Sequence, residues 1–241
     1  MSLISYVKSI LKRKIYPNCH SSERYVEYLR EQGAVIGNGT YFYTPEKHPV
    51  DESSLPFLEI GCNCRITQDA YILLHDYSYA VLRFTHHEML RKSGKVKIGN
   101  NVFIGTRATI LVNSEIGDNC IIGAGSVVSG KFESNVVIAG NPARVICTID
   151  EYYKKLKANF EKSAKEFYCW MSEYRKRPLR EDEMSWYVSL WKTKDLRARE
   201  EMLRKIRIDG DEADLVIADV MKSEPIFESY NEFLASFDHR Y

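Results

Sequence analysis

The sequence predicts an all-β core wound as a three-sided parallel coil, with helical segments before and after it. Three observations predict it. Aliphatic residues recur at every sixth position through Ile98, Ile104, Ile110, Ile116, Ile122 and Val128. Glycine follows the aliphatic residue at Gly99, Gly105, Gly117 and Gly123. Asn, Asp or Gly cluster two to three residues later, as in Asn100-Asn101, Asp118-Asn119 and Ala124-Gly125. A fixed period fixes architecture before local propensity does.

A six-residue unit has a direct physical reading. A short strand turns one aliphatic side chain inward, and a tight corner follows, where Gly, Asn and Asp tolerate the backbone angles required. Three units close an 18-residue coil, so each inward residue sits on the one a coil earlier. Ile98 stacks on Ile116, Ile104 on Ile122 and Ile110 on Val128. The pattern also runs through Ile60, Ile66 and Ile72, with Gly61 after the first, and a weaker copy is Ile36-Gly37-Asn38-Gly39. The coil domain is placed at 34–148.

The period breaks once. Ile72 and Ile98 are 26 residues apart, which is not a multiple of six. Residues 76–95 therefore leave the coil as an extruded loop, rich in Tyr, His and Arg. Long loops on rigid scaffolds tend to carry sites.

The flanks read differently. In 1–33, Ile4, Val7, Ile10, Leu11 and Ile15 recur at helical spacing among Lys8, Lys12 and Lys14. This basic amphipathic segment is expected to pack on the main domain, and it is the one segment suited to lie on a membrane surface. Tyr25 to Arg30 continues the helical pattern. From 149 to 241 a helical appendage is expected, with helix over 150–175, a break at Pro178, further helix over 181–206, a turn at Ile208-Asp209-Gly210-Asp211 and an aromatic last segment. It is suited to cover the open end of the coil, whose strand edges invite association.

Composition narrows the function. A formal net charge of +1 supplies no field for a polyanion, so nucleic-acid binding is not expected. No apolar run of about 18 residues occurs, and the early lysines do not suit a secretory signal. A cytoplasmic protein is expected. The six cysteines show no disulfide framework, and the Cys62/Cys64 pair cannot complete a four-ligand zinc shell, so free thiols and no metal site are expected.

His75 is the first chemical candidate. It lies three residues after Ile72, at the corner position held elsewhere by Asn101, Asn113 and Asn119, and it begins the extruded loop. Histidine titrates near neutrality and is the usual base for a hydroxyl proton. Asp76 or Glu88 would orient it. His86 and His87 follow in the loop, where Tyr77 and Tyr79 are suited to stack on a sugar ring. Thr106 and Ala124 both lie two residues after an inward isoleucine, one coil apart, so they share one edge. Small residues there leave backbone amides open to a long, thin ligand, and an amide suits a developing oxyanion. Arg144, after the turn Ala139-Gly140-Asn141-Pro142, and Lys131 offer cations for phosphate.

The ordered set Ile98-Gly99-Asn100-Asn101, Ile116-Gly117-Asp118-Asn119, Ile122-Gly123-Ala124-Gly125-Ser126-Val127-Val128 and Ala139-Gly140-Asn141-Pro142-Ala143-Arg144 resembles the hexapeptide-repeat acyltransferases. The segment Ile72 to Ser78 is similar to the branch that acetylates surface polysaccharides, and His86 to Gly94 to the loop of galactoside acetyltransferases. The resemblance implies a left-handed parallel β-helix, a homotrimer with active sites between subunits, no cofactor, acetyl-CoA as co-substrate and His75 as general base. It implies donor contacts at Thr106, Ala124, Ser129, Gly130 and Arg144, with Lys131 beside Gly130, where the family usually carries lysine. The acceptor would be a sugar or polysaccharide hydroxyl near Tyr77, Tyr79, His86, His87 and Glu88. Two rival readings share the coil: a zinc lyase of the γ-carbonic anhydrase type, which needs three converging histidines, and a non-catalytic scaffold.

Overall fold

The computed structural model describes residues 10–193, 196–204, 210–211 and 213–237. The chain divides into two compact units, Met1–Tyr152 and Tyr153–Tyr241.

In the first unit the chain visits three parallel sheets in rotation. Val96–Ile98, Phe103–Ile104 and Thr109–Ile110 form one coil, and Glu115–Ile116, Ile121–Ile122 and Val127–Val128 the next. The registers pair Ile98 with Ile116, Ile104 with Ile122 and Ile110 with Val128, as the period requires. Earlier coils continue the stacks through Ile60, Ile66 and Ile72, with Ile36 and Phe42 before them. These side chains form one buried column. Each contributes about 1.5–3 kcal/mol relative to exposure.

The corners explain the polar half of the repeat. Asn63, Asn101, Asn119 and Asn135 take φ of 56°, 54°, 55° and 64° on one edge, a conformation Asn tolerates better than most residues. Asn101 Nδ2 donates to Asn119 Oδ1 at 2.9 Å, and Asn119 Nδ2 to Asn135 Oδ1 at 3.0 Å.

The coil extends past the regular repeats at both ends. Phe132 pairs with Ile116 and Ile138 with Ile122, although each lies only 16 residues on. The unit from Val128 to Phe132 is two residues short, and Gly130, at φ 100°, makes that tight corner. Val136–Gly140 then turns back as a hairpin with Ala143–Thr148 through a cis Asn141–Pro142 bond. Upstream, Val50 bridges to Ile72 between two 3₁₀ turns, Pro45–Lys47 and Glu52–Phe57.

The amino-terminal region holds two helical pieces. Ser22–Glu31, capped by Ser21 Oγ, packs Tyr25 and Leu29 fully into the coil's core. The preceding turn at 10–15 does not pack as expected: Ile10, Leu11 and Ile15 are 41%, 51% and 65% exposed. The core-facing role is taken by Tyr25 and Leu29 of the second helix. Ile4 and Val7 lie outside the described residues.

The second unit holds most of the helix Ile149–Arg175, then Leu196–Arg204, Ala213–Met221 and Tyr230–Ala235, around a core of Trp191, Met184, Val188, Leu190 and Phe233. Where uniform helix is expected over 181–206, a 3₁₀ segment runs over Glu181–Leu190, kinked at Met184. Glu183 explains the tight start, accepting from Arg180 N–H at 2.9 Å and from Arg177 at 2.7 and 2.8 Å. Gly210 and Asp211 lie in a turn, while Ile208 and Asp209 lie outside the described residues. No described helix is long and apolar enough to cross a membrane.

Candidate active site

The break in the period is where a polar site forms. The chain leaves the coil through an antiparallel bridge between His75 and Ser93, with Asp76 N–H donating to Lys92 O and Gly94 N–H to Leu74 O. Between these ends lies an exposed helix, Tyr79–His86. His75 itself is buried, 4% exposed.

The imidazole is held from one side. Its Nδ1 makes a short contact with Asp51 Oδ2, and Ser53 Oγ lies 2.8 Å from the same nitrogen. Asp51 also accepts from Ser53 N–H at 3.0 Å and from Leu74 and His75 N–H at 3.1 Å each. Burial pushes the Asp51 carboxyl up, but hydrogen bonds from Ser53, His75 and Leu74 together outweigh it, so the group sits below the usual carboxylate range. A carboxylate so placed accepts a hydrogen bond from Nδ1–H, which in the neutral imidazole leaves Nε2 without a proton. No hydrogen bond to Nε2 is found among the described residues. The Tyr77 ring stands edge-on to His75 at 4.5 Å, and Tyr79 lies 5.9 Å beyond Tyr77.

Asp51 was not legible as a site residue, and Asp76 and Glu88 are not beside the ring nitrogen. Asp76 Oδ1 instead accepts from Ser78 N–H at 3.0 Å and Ser78 Oγ at 2.6 Å, the geometry of a local turn. Glu88 is exposed. Asp51 precedes the 3₁₀ turn Glu52–Phe57 as its N-cap. It sits beside the His75 corner because Asp51 N–H donates to Ile72 O at 2.8 Å. The available signal was an aliphatic Val50 followed by an Asp-x-Ser cap.

His86 and His87 end the exposed helix. His86 Nδ1 lies 2.7 Å from Thr85 Oγ1, and His87 caps the helix at φ 59°. Among the described residues no group of three or more His, Cys, Asp or Glu is gathered to hold a metal. The cysteines are free, with Cys64 buried and Cys62 exposed.

The expected donor residues fall on two edges. Thr106 and Ala124 share one, joined by Gly125 N–H donating to Thr106 O at 2.8 Å. Gly105 lets these coils approach: a Cβ there would stand 2.6 Å from Ala124 N. The N–H groups of Thr106 and Ala124 have no partner among the described residues. Arg144, paired with Ala139 across the hairpin, belongs to the same sheet's end. Ser129 and Gly130 instead follow the strand Val127–Val128, at the corner that carries Asn113 and His75 in earlier coils. Lys131 points from a third sheet and pairs with Glu115 at 2.6 Å.

Residues 95–130 match the family model described as bacterial transferase hexapeptide, six repeats. Galactoside O-acetyltransferase of Escherichia coli (strain K12) is 46% identical over 82 residues, covering 30% of this chain and 40% of that protein. YvoF of Bacillus subtilis (strain 168), a protein named as an acetyltransferase, is 35% identical over 104 residues, 43% of this chain and 55% of its own length. The chain thus spans about half the length of these two relatives. Protein CapG of Staphylococcus aureus is 35% identical over 138 residues, 57% of this chain and 78% of CapG. With its repeats in register and CapG matched over most of its length, the chain belongs to the hexapeptide-repeat acetyltransferase family.

Proposed function

We propose that the protein transfers an acetyl group from acetyl-CoA to a hydroxyl of a sugar or surface-polysaccharide precursor, with His75 as general base. The observation that carries this reading is the buried imidazole whose Nδ1 faces Asp51, leaving Nε2 for a substrate. Nε2 takes the proton from the acceptor hydroxyl as its oxygen attacks the thioester carbonyl. The tetrahedral oxyanion collapses, the carbon–sulfur bond breaks, and the imidazolium returns its proton to the departing coenzyme A thiolate. The unpartnered N–H groups of Thr106 and Ala124 suit the oxyanion or the pantetheine amides.

The two halves of this site lie on different edges of the coil stack. That separation supports a site shared between copies, one giving the His75 edge and another the Thr106–Ala124 edge, in a homotrimer of left-handed β-helices. Tyr77 and Tyr79 lead outward from His75 and suit stacking on a sugar ring. The names of two relatives point the same way: galactoside O-acetyltransferase, and WbbJ of Escherichia coli (strain K12), named for O-acetyl transfer in lipopolysaccharide biosynthesis. Acetyl-CoA as donor fits a cytoplasmic reaction.

The test is incubation of the purified protein with acetyl-CoA and a panel of sugars, nucleotide sugars and serine, following thiol release and product mass together. Acetylated sugar with matching thiol release is expected. Thiol release without an acetylated product, or no reaction across the panel, counts against the acceptor class or the activity respectively.

A further inference from the structure

The turn that orients His75 is itself gripped by the amino-terminal helix. Asp51 and Ser53, both in contact with the His75 ring, flank Glu52. The Glu52 carboxylate accepts from Tyr25 OH at 3.2 Å on Oε1 and from Tyr28 OH at 3.0 Å on Oε2. His48 Nδ1 lies 2.8 Å from Oε1, and Cys19 Sγ lies 3.7 Å from His48 Nε2. Both tyrosines come from the helix Ser22–Glu31. Tyr25 is fully buried and edge-on to Phe42 at 5.2 Å and to His48 at 6.2 Å. Burial, reinforced by Glu52, pushes its phenol well above the ordinary range, so it remains a neutral donor.

Three side chains therefore fix one carboxylate, and that carboxylate belongs to the residue between the two groups that hold the imidazole. Residue 52 shares peptide planes with 51 and 53, so a change in its placement is carried to both. Misplacement of a catalytic group by about 1 Å costs roughly 10²-fold in rate.

We propose that Glu52 is a positioning residue, and that the helix Ser22–Glu31, through Tyr25 and Tyr28, holds the Asp51–Ser53 turn where it orients His75. This rests on His75 acting as the general base. The helix is then part of the catalytic apparatus as well as a lid on the core. The Tyr25 and Tyr28 hydroxyls do the holding.

The test uses the full chain with Glu52→Ala, Glu52→Gln and the double variant Tyr25→Phe/Tyr28→Phe, which keeps ring volume and removes only the hydroxyls. Steady-state kinetics are read beside ¹⁵N-imidazole spectra, with the His75 signals assigned by their loss in His75→Ala. In Glu52→Ala and the double variant, kcat falls about tenfold with KM for acetyl-CoA unchanged. The His75 signals move from the single tautomer with bare Nε2 toward a mixture. Glu52→Gln, which keeps one acceptor oxygen, recovers part of both. Folded variants with wild-type kcat and an unmoved His75 spectrum overturn the proposal. Should the wild type transfer no acetyl group, the functional reading falls while the spectra still decide: a tautomer change in Glu52→Ala upholds the positioning role and an unchanged one overturns it. Should Glu52→Ala fail to fold, the double variant decides alone.

Discussion

Among single residues, the pairing of His75 with Asp51 decides whether a base is available. Asp51→Asn keeps the size of the side chain but can offer an N–H where the carboxylate accepted one, which favours the wrong tautomer. A fall in kcat of about 10²–10⁴-fold is expected, with acetyl-CoA binding retained, measured by steady-state kinetics and calorimetric titration. The same substitution tests a linkage. The carboxyl of Asp51 titrates below its ordinary value in the folded chain. Its contribution to stability is therefore complete above about pH 3.9, the unfolded value, and is lost as pH falls through the folded one. Asp51→Asn removes that part of the acid-side slope in denaturant titrations, and an unchanged slope counts against it. His75 was legible because the phase of the repeat places it at a corner. Asp51 was not, because it lies 24 residues before His75 with two 3₁₀ turns around it, so no period points to it.

At the element scale, the stability of the coil lies in its stacked corners and its column of aliphatics. Asn119 is held at φ 55° and bonded to Asn101 and Asn135 on either side. Asn119→Ala places an ordinary residue in the left-handed region, at about 1–2 kcal/mol, and removes both side-chain bonds. A net loss of roughly 1–3 kcal/mol is expected from denaturant unfolding, with the larger loss expected for a core deletion such as Ile104→Ala, about 2–5 kcal/mol, as the internal standard. The regular coils were legible from Ile98 to Val128 because each side chain answers one constraint, inward or corner. The period failed after Val128, where the Gly130 corner drops two residues and the coil continues regardless. It failed again in the second unit, where Glu183 and its arginines favour a 3₁₀ start over uniform helix.

At the scale of the whole molecule, the three outer faces of the coil differ. One sheet presents Glu59, Lys97, Glu115 and Lys131 in register, with Lys131–Glu115 and Lys95–Glu59 ion pairs. Another presents Tyr41, Arg65, Phe103 and Ile121 in register, with Phe103 42% exposed. Burying the first against a copy would strip water from charges that gain little in return, whereas the second offers apolar area. The proposed trimer is therefore not expected to bury the charged face, and Phe103 tests whether the apolar one is used. Light scattering should give about three times the 28.0 kDa chain mass for the wild type. Phe103→Asp should lower that mass and the activity together while circular dichroism stays unchanged. A variant of undiminished mass would move the interface elsewhere. The coil and the edge shared by Thr106 and Ala124 were legible at this scale because stacking repeats one rule. Neither the face that meets a copy nor the acceptor is written in that rule.

The proposed chemistry requires the bare Nε2 of His75 to take the acceptor's proton. The most direct measurement is the rate of acetyl transfer by His75→Ala against the wild type, at saturating acetyl-CoA, on whichever sugar the wild type acetylates. A loss of about 10²–10⁴-fold in kcat is expected, with the variant folded and its coenzyme A affinity intact. Wild-type turnover by a folded His75→Ala protein would contradict it.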